Sequence, residues 1–589
     1  MWPCHPNDGG MRHRVGGAGA RRPRQGHRGE DEGMRTQVER LDGAAVRAWS
    51  LGATTALEAA RGPIDSLNVF PVADSDTGTN LYLTVAQGAD EVTALGAGAS
   101  AAQAMAAFAR GALVGARGNS GVIASQFLLG LAAGFEDGEP DAVALAHALD
   151  VAQAMARTAV ACPVEGTILT AASAAARAAG GTALEGGDLA ATALAALRGA
   201  REALGRTPDE LAVLRAAGVV DAGATGLVVM LEALVVVVTG RPAPGAVPIA
   251  ARDLARTGTS EVAGPVAHGE FEVMFLVESA TRDLGPELSR RLQALGESVA
   301  VVGGPDVWQA HVHTDDPAAA VAAGALGTQR QITVRLLGPH TSHGSSDVAG
   351  QPDSGQLDSG QPDSAQPDAG RLGLVVGTCA PGLIRTLARS GAVVMVLTGA
   401  PASPASVLRA VVDTGAAHVV VLPGSPAALA AALTAAAPVG SGPSGRSSSA
   451  GRQPVRLHVV EAVDDVRVVA GLAAAMTGRS VVHETAVHET AVHENGVPGA
   501  VAARLGAIRR AVDDVRSAEL AVADDAAARG VADGLLAAGG EVLTLLRGAQ
   551  AGDAVMDALL DHLAGAYPGL EVVVLEAGQA QPVVAMAVE

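Results

Sequence analysis

The sequence predicts a multidomain protein in which an all-α N-terminal domain is followed by two α/β regions. At 589 residues the chain is too long for a single hydrophobic core. From Met34 to about Val238, Ala-rich segments place apolar residues at a helical period between short Gly turns. Beyond a Pro-rich joint at 241–248, short apolar strands alternate with helical stretches, which is typical of α/β structure.

Composition divides the chain further, because its N-terminal extension and a repetitive polar linker have the composition of disordered segments and two inserts are of low complexity. The predicted organisation is a disordered extension (1–33), the all-α domain (34–240), a small α/β middle domain (255–340), a disordered linker (341–371) and a C-terminal α/β domain (372–589) with low-complexity inserts near 439–452 and 481–495. Translation from Met1 or from Met34 is left open.

Individual elements follow from periodicity and from the spacing of Gly and Pro. Helices are predicted at Ala101 to Val114, Val122 to Phe135, Ala142 to Ala161 and near Pro286 to Leu295. Strands are predicted at Phe271 to Val277, Ser298 to Val302, Asp306 to Thr314, Leu372 to Val376, Val393 to Leu397 and His418 to Leu422, with Glu541 to Leu546 and Glu571 to Leu575 as the final strands.

Charge and residue usage exclude several functions. The net charge of −20 argues against a nucleic-acid partner, which usually meets a basic face. All 41 basic residues are arginine, so lysine-based phosphate loops and Schiff bases are excluded. Three scattered cysteines predict no disulfides and a cytoplasmic location. The apolar run from Leu227 to Thr239 is too short for a membrane span and contains Glu232, so a buried element is predicted.

The segment from Asn68 to Asn80 is the strongest chemical signal. Asp74 and Asp76 are two residues apart, so in an extended segment both carboxylates face one side, where they could hold Mg²⁺. The following Gly78-Thr79-Asn80 turn is predicted to open a helix whose free N–H groups face the same place. The alternative is a solvated pair of capping acids.

A second cluster runs from Gly115 to Gly121 directly into an apolar helix. Ser120 is a natural N-cap, and the glycines let a ligand approach the backbone closely. Alone, this pattern also fits an ordinary Gly-rich turn between two helices.

Two histidine patterns invite a zinc interpretation. His311 and His313 alternate on a predicted strand and therefore share one face, which suits either a zinc site or a metal-free polar strand edge. The Val-His-Glu repeat at His483, His488 and His493 spaces its histidines five apart, whereas a zinc-protease helix needs them four apart. An expanded low-complexity repeat explains it better.

Together, the 68–80 and 115–126 motifs resemble the nucleotide-binding domain of dihydroxyacetone kinases, and more closely the fatty acid kinase ATP-binding subunit; segments 163–170 and 219–227 also fit. The resemblance implies an all-α helical barrel that binds ATP and two Mg²⁺ ions. It implies metal ligation and catalysis by Asp74 and Asp76 with help from Asn68. It also implies phosphate contacts from Thr77, Gly78, Thr79, Asn80, Ser120 and Gly121, and a nucleoside end lined by Thr167, Asp221 and Gly223.

The same resemblance implies a zinc ion at the His-x-His segment, with a cysteine on a neighbouring strand. Glu272 occupies the matching position here, so the expected ligands are His311, His313 and Glu272. Ser75 replaces the usual Gly between the two aspartates and would be strained by about 1–2 kcal/mol if φ is positive there. A Thr-Met-Asn-Pro-Ser motif of the family is replaced by 399–404.

The function that these residues and the resemblance predict is an ATP-dependent kinase. It would phosphorylate the carboxylate of a fatty acid held by a separate DegV-type fatty-acid-binding protein, which the C-terminal domain engages, to give acyl phosphate. One alternative is a nucleotide-binding scaffold that has lost catalysis. Another is a kinase for a ketose such as dihydroxyacetone. A homodimer remains open.

Overall fold

The computed structural model describes residues 39–70, 75–135, 140–160, 162–244, 269–304, 306–337, 372–437, 455–485 and 498–589. Asp74, the predicted disordered segments 1–33 and 341–371, the insert at 439–452 and residues 486–495 of the second insert lie outside these ranges. The first residues of that second insert, 481–485, continue a helix.

Residues 43–239 form a ring of helices. The bounds are α1 (Gly43–Asp65), α2 (Thr77–Ala94), α3 (Ala101–Gly115), α4 (Gly118–Ala133), α5 (Ala142–Thr158), α6 (Ile168–Leu184), α7 (Leu189–Glu210), α8 (Ala212–Ala217) and α9 (Ala222–Thr239). Each long helix packs against the next, and α9 closes the ring against both α7 and α1. The predicted all-α domain is confirmed, and the ring is a helical barrel.

Small side chains allow this barrel to close tightly. Its core is built mainly from Ala, Leu and Val, with Trp49 packed edge-on against Phe108 at 5.5 Å between ring centroids. The Trp49 Nε1–H donates to the Met230 carbonyl at 2.9 Å, which ties α1 to α9. Helix α9 is apolar and long enough, by length and composition, to cross a membrane, but 78% of it is buried inside the structure. Its burial in the barrel accounts for the apolar run, as predicted.

The middle segment joins the C-terminal part in one eight-stranded sheet. Its strands, in the order β2-β3-β1-β4-β6-β5-β7-β8, are β1 (Phe271–Glu278), β2 (Gly296–Gly303), β3 (Val307–Thr314), β4 (Thr328–Leu336), β5 (Leu372–Thr378), β6 (Val393–Val396), β7 (His418–Leu422) and β8 (Arg456–Val459). Strands β1 to β4 pair antiparallel, whereas β5 to β8 pair parallel. The two halves meet where β4 runs antiparallel to β6.

This shared sheet changes the predicted division into domains. The segments 255–340 and 372–589 are separated in sequence, yet one hydrophobic core extends from Phe271 to Ala587. The helices of this region are α10 (Gly285–Gln293), α11 (Pro317–Ala323), α12 (Ile384–Arg389), α13 (Pro404–Asp413), α14 (Pro426–Ala436), α15 (Asp465–Thr485), α16 (Gly499–Asp514), α17 (Asp525–Leu536) and α18 (Asp553–Ala566).

A second, four-stranded sheet completes the C-terminal part. Its strands, in the order β11-β10-β12-β9, are β9 (Arg516–Leu520), β10 (Val542–Arg547), β11 (Glu571–Glu576) and β12 (Val584–Val588). The prediction that 571–575 is the final strand is wrong, because β12 follows it. Strand β12 pairs with both β9 and β10 and is fully buried. It forms because these two strands offer backbone partners, although Gln and Pro residues come just before it in the sequence.

Candidate active site

Four helices of the barrel begin at one cavity of about 520 Å³. It is lined by residues in the first turn or at the cap of α2, α4, α6 and α9, namely Thr77, Ser120, Thr167, Asp221 and Gly223. Another wall is formed by residues 293–299, at the end of α10 and the start of β2. Because helix N-termini carry unpaired N–H groups and a partial positive charge, their convergence favours an anion.

Three more of the predicted residues lie beside the α2 N-terminus, at a second cavity. Asp76, Thr79 and Asn80 line a neighbouring cavity of about 330 Å³, which the middle and C-terminal segments complete. A small space between the two cavities is bordered by Asn68, Asp76, Thr77, Asn80, Ser120 and the residues Glu272, His311 and His313. Among the described residues, the structure therefore brings Asn68 and Asp76 of the predicted magnesium site close to the predicted zinc ligands and to several predicted phosphate contacts.

The start of α4 is shaped by two glycines. Gly118 has a φ of +52°, and a Cβ there would lie 2.4 Å from the Asn80 Nδ2. A Cβ on Gly121 would lie 2.3 Å from the Thr84 Oγ1. The prediction that Ser120 caps this helix is wrong: α4 begins two residues earlier, so Ser120 sits in its first turn and Arg117 is the N-cap. Arg117 makes no side-chain cap, so no side chain at the cap position competes with a ligand for the first amides.

Asp76 occupies the N-cap position of α2. Its Oδ1 accepts a hydrogen bond from the Asn80 Nδ2 at 2.8 Å, and its Oδ2 accepts one from the Arg335 Nη2 at 2.6 Å. The predicted turn at 78–80 is already the first turn of the helix. Asp76 is thus held in place by an amide and a guanidinium, and it lines both the 330 Å³ cavity and the small space between the two cavities.

Asp65 at the end of α1 was not predicted. It accepts hydrogen bonds from the Thr79 backbone N–H at 2.9 Å and from the Thr79 hydroxyl at 2.8 Å. Burial raises the pKa of Asp65 to about 6, although both bonds from Thr79 oppose the rise. Thr79, predicted as a phosphate contact, is therefore bonded to the protein itself. The sequence carried no signal for this pairing, because Asp65 lies outside the recognisable motif.

Ser75 adopts a φ of +55°, which answers the question raised by its replacement of Gly. A non-Gly residue in this left-handed region costs about 1–2 kcal/mol. The side chain is exposed, so no packing within the structure offsets that cost. The loop before α2 is strained at the residue next to Asp76.

The far end of the larger cavity is formed by the caps of α6 and α9. The Thr167 Oγ1 donates to the Val164 carbonyl at 2.8 Å, and the Asp221 Oδ2 accepts from the Ala224 N–H at 2.7 Å. Burial raises the pKa of Asp221 to about 6, although three backbone N–H groups oppose the rise. These polar groups face a cavity with largely apolar neighbours such as Ile123 and Ile168, which is a suitable surface for a planar base.

The three residues predicted to bind zinc lie together on β1 and β3. Glu272 pairs with His313 in the strand register, and the potential ligand atoms of Glu272, His311 and His313 lie within 4.8 Å of one another. The His311 Nδ1 is 3.4 Å from the Glu272 Oε1. Two ligands of one tetrahedral zinc ion, each about 2.0–2.1 Å from it, lie about 3.3 Å apart.

The chemistry of the cluster also fits a cation. Among the described residues, neither ring nitrogen of His311 has a hydrogen-bond partner, although the side chain is fully buried. Burial and, to a smaller extent, the nearby Arg335 lower the pKa of His311 to about 3, although Asp76 opposes the fall. The imidazole is therefore neutral, as a metal ligand must be. The residues present fit a zinc ion with one position left for another ligand.

Arg335 on β4 connects this cluster to Asp76, at the end of the loop before α2. The sequence analysis did not predict a role for Arg335. Its Nε bonds to the Glu272 Oε2 and its Nη2 bonds to Asp76. Burial opposes the charge of Arg335, but Glu272 and Asp76 raise its pKa further above the usual range. It was missed because β4 itself was not predicted.

Comparisons with known proteins assign the two parts of this site to families. The DAK2 domain family matches residues 71–236, and the FakA-like middle-domain family, which is described for fatty acid kinases, matches residues 268–340. The chain therefore contains a DAK2 domain and a FakA-like middle domain. Its DAK2 domain supplies the helix N-termini and Asp76, whereas its middle domain supplies Glu272, His311, His313 and Arg335.

Two curated relatives match about half of this chain or less. Protein YloV of Bacillus subtilis is 33% identical over 290 residues, which is 48% of this chain and 52% of YloV. Protein SH1689 of Staphylococcus haemolyticus is 34% identical over 269 residues, or 43% of this chain and 47% of that protein. The chain thus spans about half the length of the curated relatives it matches. The crystal structure of the dihydroxyacetone kinase of C. freundii shares 20% identity over 36% of this chain and 38% of its own, with a TM-score of 0.26, which is too low to support a conclusion.

Proposed function

We propose that this protein is an ATP-dependent kinase that transfers a phosphoryl group to the carboxylate of a fatty acid. The observation that carries the proposal is the convergence of four helix N-termini on one cavity, with Asp76 lining the small space next to it. The partial positive charges at the starts of α2 and α4 suit the phosphates of a nucleotide, and the nearby carboxylate of Asp76 suits the accompanying Mg²⁺.

Within this proposal, each side chain has a defined place. Asp76 would hold Mg²⁺ together with Asp74 and Asn68, and that ion would neutralise charge on the transferring phosphoryl group. The first amides of α2 and α4 would hold the phosphates. The nucleoside would lie between the caps of α6 and α9 and the wall at 293–299.

The absence of lysine leaves arginine as the cation at the phosphate end. Arg335 lies 2.6 Å from Asp76 and borders the 330 Å³ cavity beyond it. That cavity lies across Asp76 from the nucleotide cavity, where an acceptor would have to approach. A carboxylate acceptor is ionised at neutral pH and needs no general base.

The fatty acid and its delivery extend beyond the geometry. The match of the middle segment to the FakA-like family of fatty acid kinases supports a fatty acid as the acceptor. We further propose that a cytoplasmic DegV-type fatty-acid-binding protein presents it to the C-terminal part, with a homodimer as the candidate assembly.

Acyl phosphate formation tests the proposal directly. The protein is incubated with ATP, Mg²⁺ and a fatty-acid-loaded DegV-type partner, and the product is trapped with hydroxylamine as a hydroxamate. We expect product with wild type and at least a 100-fold loss in Asp76→Asn. Wild type that binds Mg·ATP but gives no hydroxamate with any such partner would contradict the kinase assignment.

That last outcome would favour the second candidate, a scaffold that binds nucleotide without turnover. The specific observation in its favour is the strained φ of Ser75 beside Asp76, at a position where the related kinases carry Gly. If the strain at Ser75 is what abolishes turnover, Ser75→Gly should restore hydroxamate formation. A ketose kinase would instead phosphorylate dihydroxyacetone without a partner protein, which the same reaction mixture can report.

We also propose zinc at the cluster of Glu272, His311 and His313. The unpartnered, neutral imidazole of His311 supports it. Metal analysis of the purified protein should find about one zinc per chain, reduced in His311→Ala and His313→Ala. His562→Ala is the matched control, because His562 binds Asp533 at 2.8 Å in a different part of the chain. Equal zinc in wild type and in all three variants would exclude the site.

A further inference from the structure

Helix α13, which belongs to the C-terminal part, binds the turn between α3 and α4 through two side chains. The Arg409 Nη1 donates to the Val114 carbonyl at 2.7 Å, and its Nη2 donates to the Ala116 carbonyl at 2.6 Å. One helical turn along, the Asp413 Oδ1 pairs with the Arg117 Nε at 2.7 Å. Residues four apart share a helix face, so both side chains reach the same turn.

These contacts are buried and electrically matched. Arg409 is 7% exposed and Arg117 is 9% exposed. Burial and, to a smaller extent, the neighbouring Arg117 lower the pKa of Arg409 to about 9, although Asp413 opposes the fall. Two buried guanidinium groups side by side repel each other, so Asp413 is needed to hold both in place.

The turn that α13 binds leads directly into the part of α4 that lines the nucleotide cavity. The carbonyls of Val114 and Ala116 lie at the C-terminus of α3, where a cation is favoured by the helix dipole. Arg117 is the N-cap of α4, and the next residues present the amides that face the nucleotide cavity. The position of this turn therefore determines where those amides point.

Helix α13 itself does not line the nucleotide cavity among the described residues. We infer that Arg409 and Asp413 are positioning residues for the phosphate-binding turn, an inference that rests on the proposed function. The consequence is a linkage: Mg·ATP binds more tightly when the C-terminal part is docked, and bound Mg·ATP in turn strengthens the docking. Such reciprocal couplings change affinity by about 5–150-fold.

Nucleotide affinity of variants tests the inference. The dissociation constant of Mg·ATP is measured by calorimetry for wild type, Asp413→Asn and Arg409→Lys. Asp413→Asn keeps the side-chain shape but leaves Arg117 without its counter-charge, and Arg409→Lys keeps the charge but loses the two-carbonyl fork. We expect at least tenfold weaker binding in each.

A matched control is available on the neighbouring helix α12. Arg389→Gln breaks a pair with Glu270 that also joins the C-terminal part to the middle segment, but the Arg389 side chain is 50% exposed and lies away from the turn. Its Mg·ATP affinity should stay within twofold of wild type. Equal affinity in Asp413→Asn, Arg409→Lys and wild type would overturn the inference.

Hydrogen exchange of wild type provides a second test that needs no variant. Saturating Mg·ATP should slow amide exchange in α13, although none of its residues would touch the nucleotide. Unchanged exchange in α13, with slower exchange at the start of α4, would overturn the linkage while leaving nucleotide binding intact. If wild type binds no Mg·ATP at all, the proposed function fails instead, and the inference fails with it.

Discussion

Replacement of Arg335 by Gln tests whether the ion pairs of Arg335 hold the middle domain to the metal loop. Its guanidinium lies between Glu272, which is 5% exposed, and Asp76. Removing one partner of a buried ion pair typically costs about 3–5 kcal/mol. Since the side chain of Arg335 is 26% exposed, water screens part of this loss, and we expect about 2–4 kcal/mol.

The assay is urea denaturation at pH 7 with a chelator present, so that bound metal does not contribute. Trp308 on β3 reports the unfolding of the sheet through its fluorescence. Arg330→Gln is a close control, because Arg330 lies on the same strand and pairs with Glu278 where both side chains are exposed. Such a surface pair is worth at most about 1 kcal/mol.

A double variant separates the buried charge from other effects. The double variant with Arg335→Gln and Glu272→Gln has no buried carboxylate at position 272 that has lost its partner. Because a buried unpaired charge is strongly destabilising, the double variant should be at least about 1 kcal/mol more stable than Arg335→Gln alone. If Arg335→Gln costs no more than Arg330→Gln, or if the double variant recovers nothing, the ion pairs do not hold these parts together.

Three further predictions concern the loops of the site. Ser75→Gly relieves the strain of a φ of +55° but adds freedom to the unfolded chain, so denaturation should show a net gain of about 0.5–1 kcal/mol, and no gain would refute the strain. Since the folded-state pKa of Asp221 is raised from 3.8 to about 6, its contribution to stability is full below pH 3.8 and is lost as the pH rises through 6. Asp221→Asn should therefore gain up to about 3 kcal/mol on wild type between pH 4 and 6.5 in denaturation curves, whereas a pH-independent difference would contradict the raised pKa. Gly118→Ala places a Cβ 2.4 Å from the Asn80 Nδ2 and should weaken Mg·ATP binding at least tenfold in calorimetry, whereas Gly205→Ala, with no atom within 4 Å of its Cβ, should leave binding unchanged.

Much of the helical domain could be predicted from the sequence because helices depend on local periodicity. The predicted helix at 101–114 differs from α3 by one residue, and Ser100 with Gln103 forms its capping box. The strands at 271–277 and 418–422 were predicted equally well, since their apolar runs are buried on both faces. The motif at 68–80 carried the metal and phosphate expectations with no help from distant residues.

Strand β4 shows why the rest could not be predicted. Its sequence, from Thr328 to Leu336, begins with polar residues and contains two arginines, so it lacks an apolar strand pattern. It forms because β1 and β6 offer backbone partners on either side. The role of Arg335, which joins two predicted clusters, could therefore not be predicted without knowing that β4 pairs with these strands.

The sequence by itself determined the helices of the first domain, most of the strands, and the acids, glycines and histidines of the site, because each of these depends on residues within a few positions of one another. Only the tertiary structure decided that the middle and C-terminal segments share one sheet and that Arg335 joins Asp76 to Glu272. It also decided that α13 binds the turn between α3 and α4. The physical reason is distance along the chain: Arg335 and Asp76 are 259 residues apart, and such a buried pairing depends on the packing of whole segments rather than on local preference.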